Sequence, residues 1–554
     1  MAGAMPMANA PRLSGFALSA AARLVRSRVG SAALSSLFRK ELRVGELREL
    51  PEQWRGPLPN DTRPLAGRPP RAAADAGLAP PRAPWSGSST SIAEAYRAGK
   101  LTPEELVDRA LAAARTLAAR SPSVGPLMTY ADDAARAEAR ASTARWRAGQ
   151  PLGPLDGVPT AIKEELSVRG FPWTRGTDIG DPAPRAEDAT VVARLRAAGA
   201  VTLGITPMTE YGLTPTGINA KRVMPRNPHL NACIAGGSST GSGVAVATGL
   251  VPFAIGADGG GSIRIPAALS GVFGIKPTWG RVSRHGGSGG SVAHVGPLAS
   301  SVLDLARVLD AVGGPDALDT ETREAPPPGG LDRAVGRGVR GLVIGILEQE
   351  FADASPEVAR AGKAALDALV KEGARVVPVS APLARHAPAI GYVTIAVEAR
   401  TILSQEWREH GAELTPDLQL TFSTLDALTA PELLDAQRLR AGLRRDIARC
   451  FETVDLLALP TTVATAARVT DAEMQSGLVD TKLLDGLCRF AFLANLTGLP
   501  AGSAPVAQDR EGLPIGFQLV GDAWDEATVL AAMAHLERIE AARVTRPSVS
   551  VDLG

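Results

Sequence analysis

Two glycine-rich clusters in the middle of the chain each present serine hydroxyls. Residues 236–243 read Gly-Gly-Ser-Ser-Thr-Gly-Ser-Gly, and residues 258–266 read Asp-Gly-Gly-Gly-Ser-Ile-Arg-Ile-Pro. Glycine adopts positive φ readily and lets backbone N–H groups approach a ligand closely, as a phosphate or oxyanion cradle requires. The phosphate-loop pattern Gly-x4-Gly-Lys-Ser/Thr does not occur in the sequence. The spacing alone therefore leaves an oxyanion cradle and a structural turn as interpretations.

A nucleophile elbow is a third interpretation of the first cluster. Residues 237–241 match Gly-x-Ser-x-Gly, which would make Ser239 the nucleophile of an α/β-hydrolase with a histidine base further along the chain. Five of the six histidines lie downstream, but none falls in the short late loop that this architecture favours, and His535 lies in a helical pattern. We therefore treat the match as accidental.

The order of several motifs resembles the amidase signature family. Its pattern runs from Gly-Gly-Ser-Ser-Gly-Gly-Ser through an apolar stretch to Thr-Asp-x-Gly-Gly-Ser-Ile-Arg-x-Pro, and then to Gly-x-Lys-Pro-Thr, here residues 274–278. Residues 157–163, Gly-Val-Pro-Thr-Ala-Ile-Lys, are similar to the segment that carries the family's catalytic lysine. Residues 495–500 and 512–521 are similar to its C-terminal blocks, so the resemblance covers about residues 88–538.

The resemblance implies a catalytic triad that uses no histidine, metal or cofactor. Ser262 would be the nucleophile, Ser238 a bridging serine after a cis peptide bond, and Lys163 the base. The oxyanion hole would be made by backbone N–H groups of Gly259, Gly260, Gly261 and Ser262. A lysine accepts a proton only when its amine is neutral, and burial disfavours the charged form. The apolar run 158–162 before Lys163 suits such burial.

The same resemblance implies an amidase that hydrolyses a carboxamide C–N bond through an acyl-serine intermediate, with a small amide as its substrate. A glutamine-dependent amidotransferase A-type subunit, working in a complex, is the alternative. A catalytically silent binding protein is disfavoured because every catalytic side chain of the family pattern is present. With 59 basic and 58 acidic residues, the net charge of +1 gives no electrostatic reason to expect a nucleic-acid partner, and a homodimer is compatible with the sequence.

Several neighbouring residues have structural interpretations. We expect Ser239 and Ser242 to cap a helix that starts near Ser242, and Asp258 to pair with Arg264. We expect a buried thiol at Cys233, which has no basic or imidazole neighbour in sequence. Three aromatic residues are expected to pack in the core, with an acyl-pocket lining as the alternative: Trp173, Tyr211 and Phe492.

Alternating helical and strand patterns predict an α/β fold. Residues 342–347 and 374–379 read as strands around a helix at 355–372, which is a βαβ unit, and 200–205, 455–459 and 515–520 read as further strands. We expect one large domain over residues 88–545, with a central mixed β-sheet flanked by helices. The longest stretch without charged or strongly polar residues, 243–257, has 15 residues and contains a proline, so no transmembrane helix is predicted.

The N-terminal region differs from the rest in charge. Residues 1–40 contain six basic residues and no acid, interspersed with apolar residues, which predicts a basic amphipathic extension over residues 1–50. Packing on the enzyme, association with a membrane surface and organelle targeting are the three interpretations. Residues 51–87 are rich in proline and predict a linker or wrapping arm. Three widely spaced cysteines fit a reducing compartment, so we expect a cytoplasmic protein, with peripheral membrane contact as an option.

Overall fold

The computed structural model describes residues 12–25, 44–55, 65, 77–78, 81, 84–287, 289–425 and 428–553. Most of the predicted proline-rich arm, and the basic residues of the extension between positions 26 and 43, lie outside the described residues. The strands are β1 (Arg12–Ser14), β2 (Thr129–Tyr130), β3 (Pro159–Lys163), β4 (Val201–Thr206), β5 (Phe253–Asp258), β6 (Phe273–Lys276), β7 (His294–Ala299), β8 (Val343–Ile346), β9 (Arg375–Pro378), β10 (Leu456–Pro460), β11 (Leu478–Asp480), β12 (Ala501–Gln508) and β13 (Pro514–Gly521).

Eleven of these strands form one mixed sheet in the order β2-β4-β3-β5-β7-β6-β12-β13-β10-β8-β9. The pairs β3/β4, β3/β5, β8/β9 and β8/β10 are parallel, and the other neighbours are antiparallel. Every residue of β3, β4 and β5 is buried, because helices cover the central sheet. The predicted α/β fold with a mixed sheet is confirmed.

Helices surround the sheet, and two of the longer ones begin after hydroxyl caps, Thr102 and Ser355. Thr102 caps the helix Pro103–Ala118 and forms a reciprocal capping box with Glu105. The described helices span Gly15–Leu24, Val44–Glu49, Ser89–Arg97, Pro103–Ala118, Asp132–Arg147, Thr190–Ala197, Thr240–Ala247, Arg264–Ser270, Val302–Val312, Leu331–Ala334, Glu348–Asp353, Pro356–Lys371, Ala387–Ile402, Ser404–His410, Pro416–Leu425, Ala430–Phe451, Asp471–Ser476, Thr481–Cys488, Phe492–Thr497 and Glu526–Arg538. Among the described residues, no helix combines the length and the apolar character that a membrane crossing requires.

The described part of the N-terminal extension packs on the body of the protein. Strand β1 pairs antiparallel with β11, so that Leu13 lies opposite Val479. The helix Gly15–Leu24 then buries Leu18 in a small apolar cluster that also contains Leu420. On the same helix, Phe16 is 86% exposed.

Strands β2 and β4 pack so closely at Gly204 that a larger residue there should destabilise the protein. A Cβ added at Gly204 would lie 2.0 Å from the backbone oxygen of Thr129, and backbone atoms cannot move away as a flexible side chain can. We expect Gly204→Ala to lower the free energy of unfolding by about 1–3 kcal/mol in a denaturant titration. Gly45→Ala is the matched control, because a Cβ there meets no atom within 4 Å. Equal stability of the two variants would contradict the packing described.

Candidate active site

The site lies where two parallel strands end. Lys163 is the last residue of β3 and Asp258 the last residue of β5, and Ile162 lies opposite Ile255 in the register. Parallel neighbours bring their carboxyl ends to the same edge of the sheet. The lysine is therefore placed beside the glycine-rich loop that follows β5.

The side chain of Lys163 is fully buried and has three oxygen neighbours. Its Nζ donates to Ser238 Oγ at 2.8 Å and to the Ala257 carbonyl at 3.4 Å. The third neighbour is a carboxylate: Glu165 Oε2 lies 2.5 Å from Nζ. The expected contact between Lys163 and Ser238 is present, and the carboxylate beside the lysine is a feature that the sequence analysis did not anticipate.

Ser238 enters the site from the turn before a helix. The peptide bond between Gly237 and Ser238 is cis. The next helix, Thr240–Ala247, is fully buried and packs against β5. Its amino-terminal end holds Ser238 at the carboxyl edge of the sheet.

The capping role predicted for Ser239 and Ser242 is wrong. Ser239 stands at the N-cap position but makes no side-chain cap hydrogen bond; its Oγ donates to the Ala257 carbonyl and accepts from the Ala257 N–H. Ser242 lies inside the helix, and its Oγ donates to the Ile255 carbonyl. Both hydroxyls tie the helix to β5, so their role is structural but does not involve the helix end.

Ser262 is the side chain at the end of the second glycine cluster. It is 8% exposed and lines the same cavity as Ser238. Within the described residues its hydroxyl makes no hydrogen bond, whereas its carbonyl accepts from the Ser239 N–H at 3.2 Å. The hydroxyl therefore lies on the cavity wall and bonds to neither Ser238 nor Lys163 among the described residues.

The loop before Ser262 supplies fewer free donors than the sequence predicts. The N–H of Gly261 donates to Asp258 Oδ1 at 2.7 Å, so it is not available to an oxyanion. The N–H groups of Gly259, Gly260 and Ser262 have no hydrogen-bond partner in the described part of the chain. Gly261 has φ +114°, which only glycine adopts without strain. The predicted set of four donors is thus corrected to three.

A buried ionic network fixes this loop. Arg264 donates to both carboxylate oxygens of Asp258, at 3.0 and 2.9 Å, and the predicted ion pair is confirmed. Arg264 also donates to Gln518 and Asn495, and Asn495 donates back to Asp258. Burial raises the pKa of Asp258, but the charge of Arg264 and the hydrogen bonds from Arg264 and Asn495 outweigh it, so the pKa lies below its ordinary value.

Two cavities meet at Ser262. The first, which we call the apolar cavity, encloses about 1270 Å³ including solvent at its mouth. Its walls are largely apolar, with Leu213, Tyr392, Ile395, Phe422, Leu425 and Phe492 among them. The second, the lysine-side cavity, encloses about 880 Å³ measured in the same way, and Ser238, Glu165, Trp173 and Tyr211 line it.

The aromatic residues and the cysteine have distinct positions. Phe492 is buried and also lines the apolar cavity, where a Cβ at Gly260 would lie 2.7 Å from its ring. Core packing was expected for Trp173 and Tyr211, but both are only partly buried and line the lysine-side cavity. Cys233 is buried as predicted, and burial raises the pKa of its thiol.

The ionic network predicts a characteristic response to charge removal. In Arg264→Met, the Asp258 carboxylate remains buried without its cation, so we expect a loss of about 3–5 kcal/mol in unfolding free energy. In wild type the Asp258 pKa is lowered, so the carboxylate's contribution to stability is complete above about pH 4 and is lost as the pH falls below that value. In the variant burial dominates, the Asp258 pKa rises, and stability should fall as pH increases above about 4.

The control is the double variant Asp258→Asn, Arg264→Met, which removes both charges. The double variant should recover part of the unfolding free energy that Arg264→Met loses, and its stability should no longer fall with increasing pH. Denaturant titrations across the pH range measure all three proteins. A double variant that is no more stable than Arg264→Met at alkaline pH would show that the buried charge is not the cause.

The chain is similar to known proteins over most of its length. The Amidase family model matches residues 107–530. A fatty acid amide hydrolase of Medicago truncatula is 34% identical over 488 residues, covering 85% of this chain and 80% of that protein. The A-type subunit of a glutamyl-tRNA(Gln) amidotransferase from Chloroflexus aggregans is 34% identical over 482 residues, covering 82% and 97%. The native peptide amidase of Stenotrophomonas maltophilia superimposes with a TM-score of 0.70 at 28% identity, covering 83% of this chain and 98% of that one. The chain belongs to the amidase signature family.

Proposed function

We propose that this protein is an amidase that hydrolyses a carboxamide C–N bond through an acyl-Ser262 intermediate. The observation that carries the proposal is the 2.8 Å contact between the buried Lys163 amine and Ser238 Oγ, on the wall of the cavity that also contains Ser262. A serine hydroxyl needs a base to become a nucleophile. Lys163, acting through Ser238, is the base that this site offers.

In the proposed reaction, Ser262 Oγ attacks the amide carbonyl while its proton passes to Ser238 and the Ser238 proton passes to Lys163. The same route returns the proton to the departing nitrogen, and water then attacks the acyl-serine. The developing oxyanion accepts hydrogen bonds from the free N–H groups of the loop 259–262. Each such donor is worth about 3 kcal/mol in the transition state.

We further propose that the acyl part of the substrate is apolar. Ser262 lies on the wall of the apolar cavity, which is lined mainly by leucine, isoleucine, alanine and aromatic side chains, with Asp417, Asp485 and several threonines among the polar ones. An acyl chain in this cavity would place the leaving amine in the lysine-side cavity. The plant relatives named as fatty acid amide hydrolases are in keeping with an acyl group of this kind.

An amidotransferase component is the second candidate, supported by the A-type amidotransferase subunits that are 34–35% identical to this chain. The two candidates differ in the acyl group that Ser262 would carry. Glutamine is short and polar, and its ammonium and carboxylate would lose hydration in a largely apolar cavity. Release of ammonia from glutamine by the purified chain, at a rate above that on a long-chain acyl amide, would favour the second candidate.

Covalent labelling tests the identity of the nucleophile. A fluorophosphonate should modify a single peptide that contains Ser262, and mass spectrometry should locate the adduct on its hydroxyl. Ser262→Ala should lose the label and lower kcat by about 10³-fold or more, since the attacking atom is removed. Ser239→Ala serves as the matched control and should still be labelled. A folded Ser262→Ala protein with wild-type turnover would end the proposal.

A chain-length series tests the acyl specificity. Across primary amides of increasing acyl length, kcat/KM should rise by up to about fourfold for each methylene that enters the apolar cavity. Ala396 lines this cavity, so Ala396→Phe should abolish the gain for long chains while leaving short acyl amides nearly unaffected. Ala396→Ser, which nearly keeps the side-chain volume, is the matched control and should retain the gain. A flat chain-length profile in wild type would contradict an apolar acyl group.

A further inference from the structure

Glu165 contacts the amine on which the proposed reaction depends. Its Oε2 lies 2.5 Å from Lys163 Nζ, closer than the 2.8 Å between Nζ and Ser238 Oγ. The carboxylate side chain is 8% exposed and lies on the wall of the lysine-side cavity. Trp173 Nε1 donates to the Glu165 backbone carbonyl at 2.7 Å, which fixes the chain at this residue.

The neighbouring acid has a different role. Glu164 accepts from the Met208 N–H at 2.8 Å and from Thr174 Oγ1 at 2.6 Å, and it lies within 3.5 Å of Arg222. These contacts connect loops around the site and do not involve Lys163. Of the two consecutive glutamates, only Glu165 contacts the lysine.

A carboxylate at this position creates a problem for a lysine base. An anion beside the amine favours the ammonium form, which cannot accept a proton from Ser238. The lysine is fully buried, so bulk water is not at hand to take its extra proton. The Glu165 carboxylate is the group best placed to take that proton, although its charge also favours the ammonium form of Lys163.

We propose that Glu165 is a positioning residue that holds the proton Lys163 must give up before it can act as a base. In this step the Nζ–H bond breaks and an Oε2–H bond forms, leaving a neutral amine beside a neutral carboxylic acid. The pair carries no net charge before or after the transfer, and burial favours the neutral pair because two buried charges lose more hydration than two neutral groups do. Lys163 then accepts a proton through Ser238 and returns it to the leaving nitrogen, while Glu165 keeps its own. This inference rests on the proposed function.

The acid limb of the pH–rate profile distinguishes this role from two others. If Glu165 holds the proton, the wild-type enzyme stays active down to the low pH at which the Lys163–Glu165 pair gains a second proton. In Glu165→Gln the lysine must release its proton to solvent, so the acid limb should move up by about two pH units or more. A simple counter-ion would give the opposite result, because its removal disfavours the ammonium, and a structural role would leave the limb in place.

The experiment measures kcat and KM across the pH range for wild type, Glu165→Gln and Glu165→Asp, with a long-chain acyl amide. Near neutral pH, Glu165→Gln should lower kcat by about 100-fold, recover toward alkaline pH, and change KM by less than about threefold. Glu165→Asp keeps the carboxyl group, so its acid limb should stay near that of wild type even where its kcat is lower.

Glu398→Gln is the matched control for charge in the cavity. Glu398 lines the same cavity but accepts from the Ser291 N–H at 2.8 Å rather than contacting Lys163, so its substitution should not move the acid limb. Fluorophosphonate labelling at alkaline pH shows whether each variant retains an assembled nucleophile. If Ser262 is labelled in wild type and the Glu165→Gln acid limb is unmoved or moves down, this inference fails alone. If Ser262 is not labelled in wild type, the proposed function itself fails.

Discussion

The burial of one amine beside one hydroxyl is the constraint around which this site is built. Lys163 is fully buried, and its Nζ lies 2.8 Å from Ser238 Oγ. An ammonium in such a place would be costly without compensation, so the site must either neutralise the amine or supply a counter-charge. In the arrangement described, Glu165 supplies the counter-charge. Transfer of a proton from Lys163 Nζ to Glu165 would neutralise the amine.

The sheet and the ionic network fix the positions of Lys163 and the glycine loop. Strands β3 and β5 are parallel neighbours, so the lysine and the glycine loop emerge at the same edge. The ion pair of Asp258 and Arg264 lies at the base of this loop, and the Gly261 N–H donates a hydrogen bond to Asp258. These contacts attach the loop where it joins the strand, and its remaining N–H groups have no partners among the described residues.

Much of this arrangement could be predicted from local sequence. Each strand predicted between positions 200 and 520 is found within about two residues of its expected ends, because apolar runs and turn residues mark them well. The pairing of Asp258 with Arg264 follows from two opposite charges six residues apart around a tight turn. The number of free loop donors did not follow, since it depends on which N–H the Asp258 carboxylate selects.

Three features depend on tertiary geometry and had no local signal. The sequence contains consecutive glutamates after Lys163, but nothing in their spacing tells which one turns back to the amine. The apolar cavity draws its walls from residues as far apart as Leu213, Tyr392 and Phe492. Similarly, the hydroxyls of Ser239 and Ser242 bond to β5 because the helix packs on that strand.

The structure of a fluorophosphonate adduct would show whether Ser262, Ser238 and Lys163 act together. We expect phosphorus bonded to Ser262 Oγ, with the phosphoryl oxygen within about 3 Å of free N–H groups in the loop 259–262. Ser238 Oγ should lie within hydrogen-bond distance of both Ser262 Oγ and Lys163 Nζ. An adduct on another residue, or a Ser238 hydroxyl turned away from Ser262, would show that the three residues do not act together.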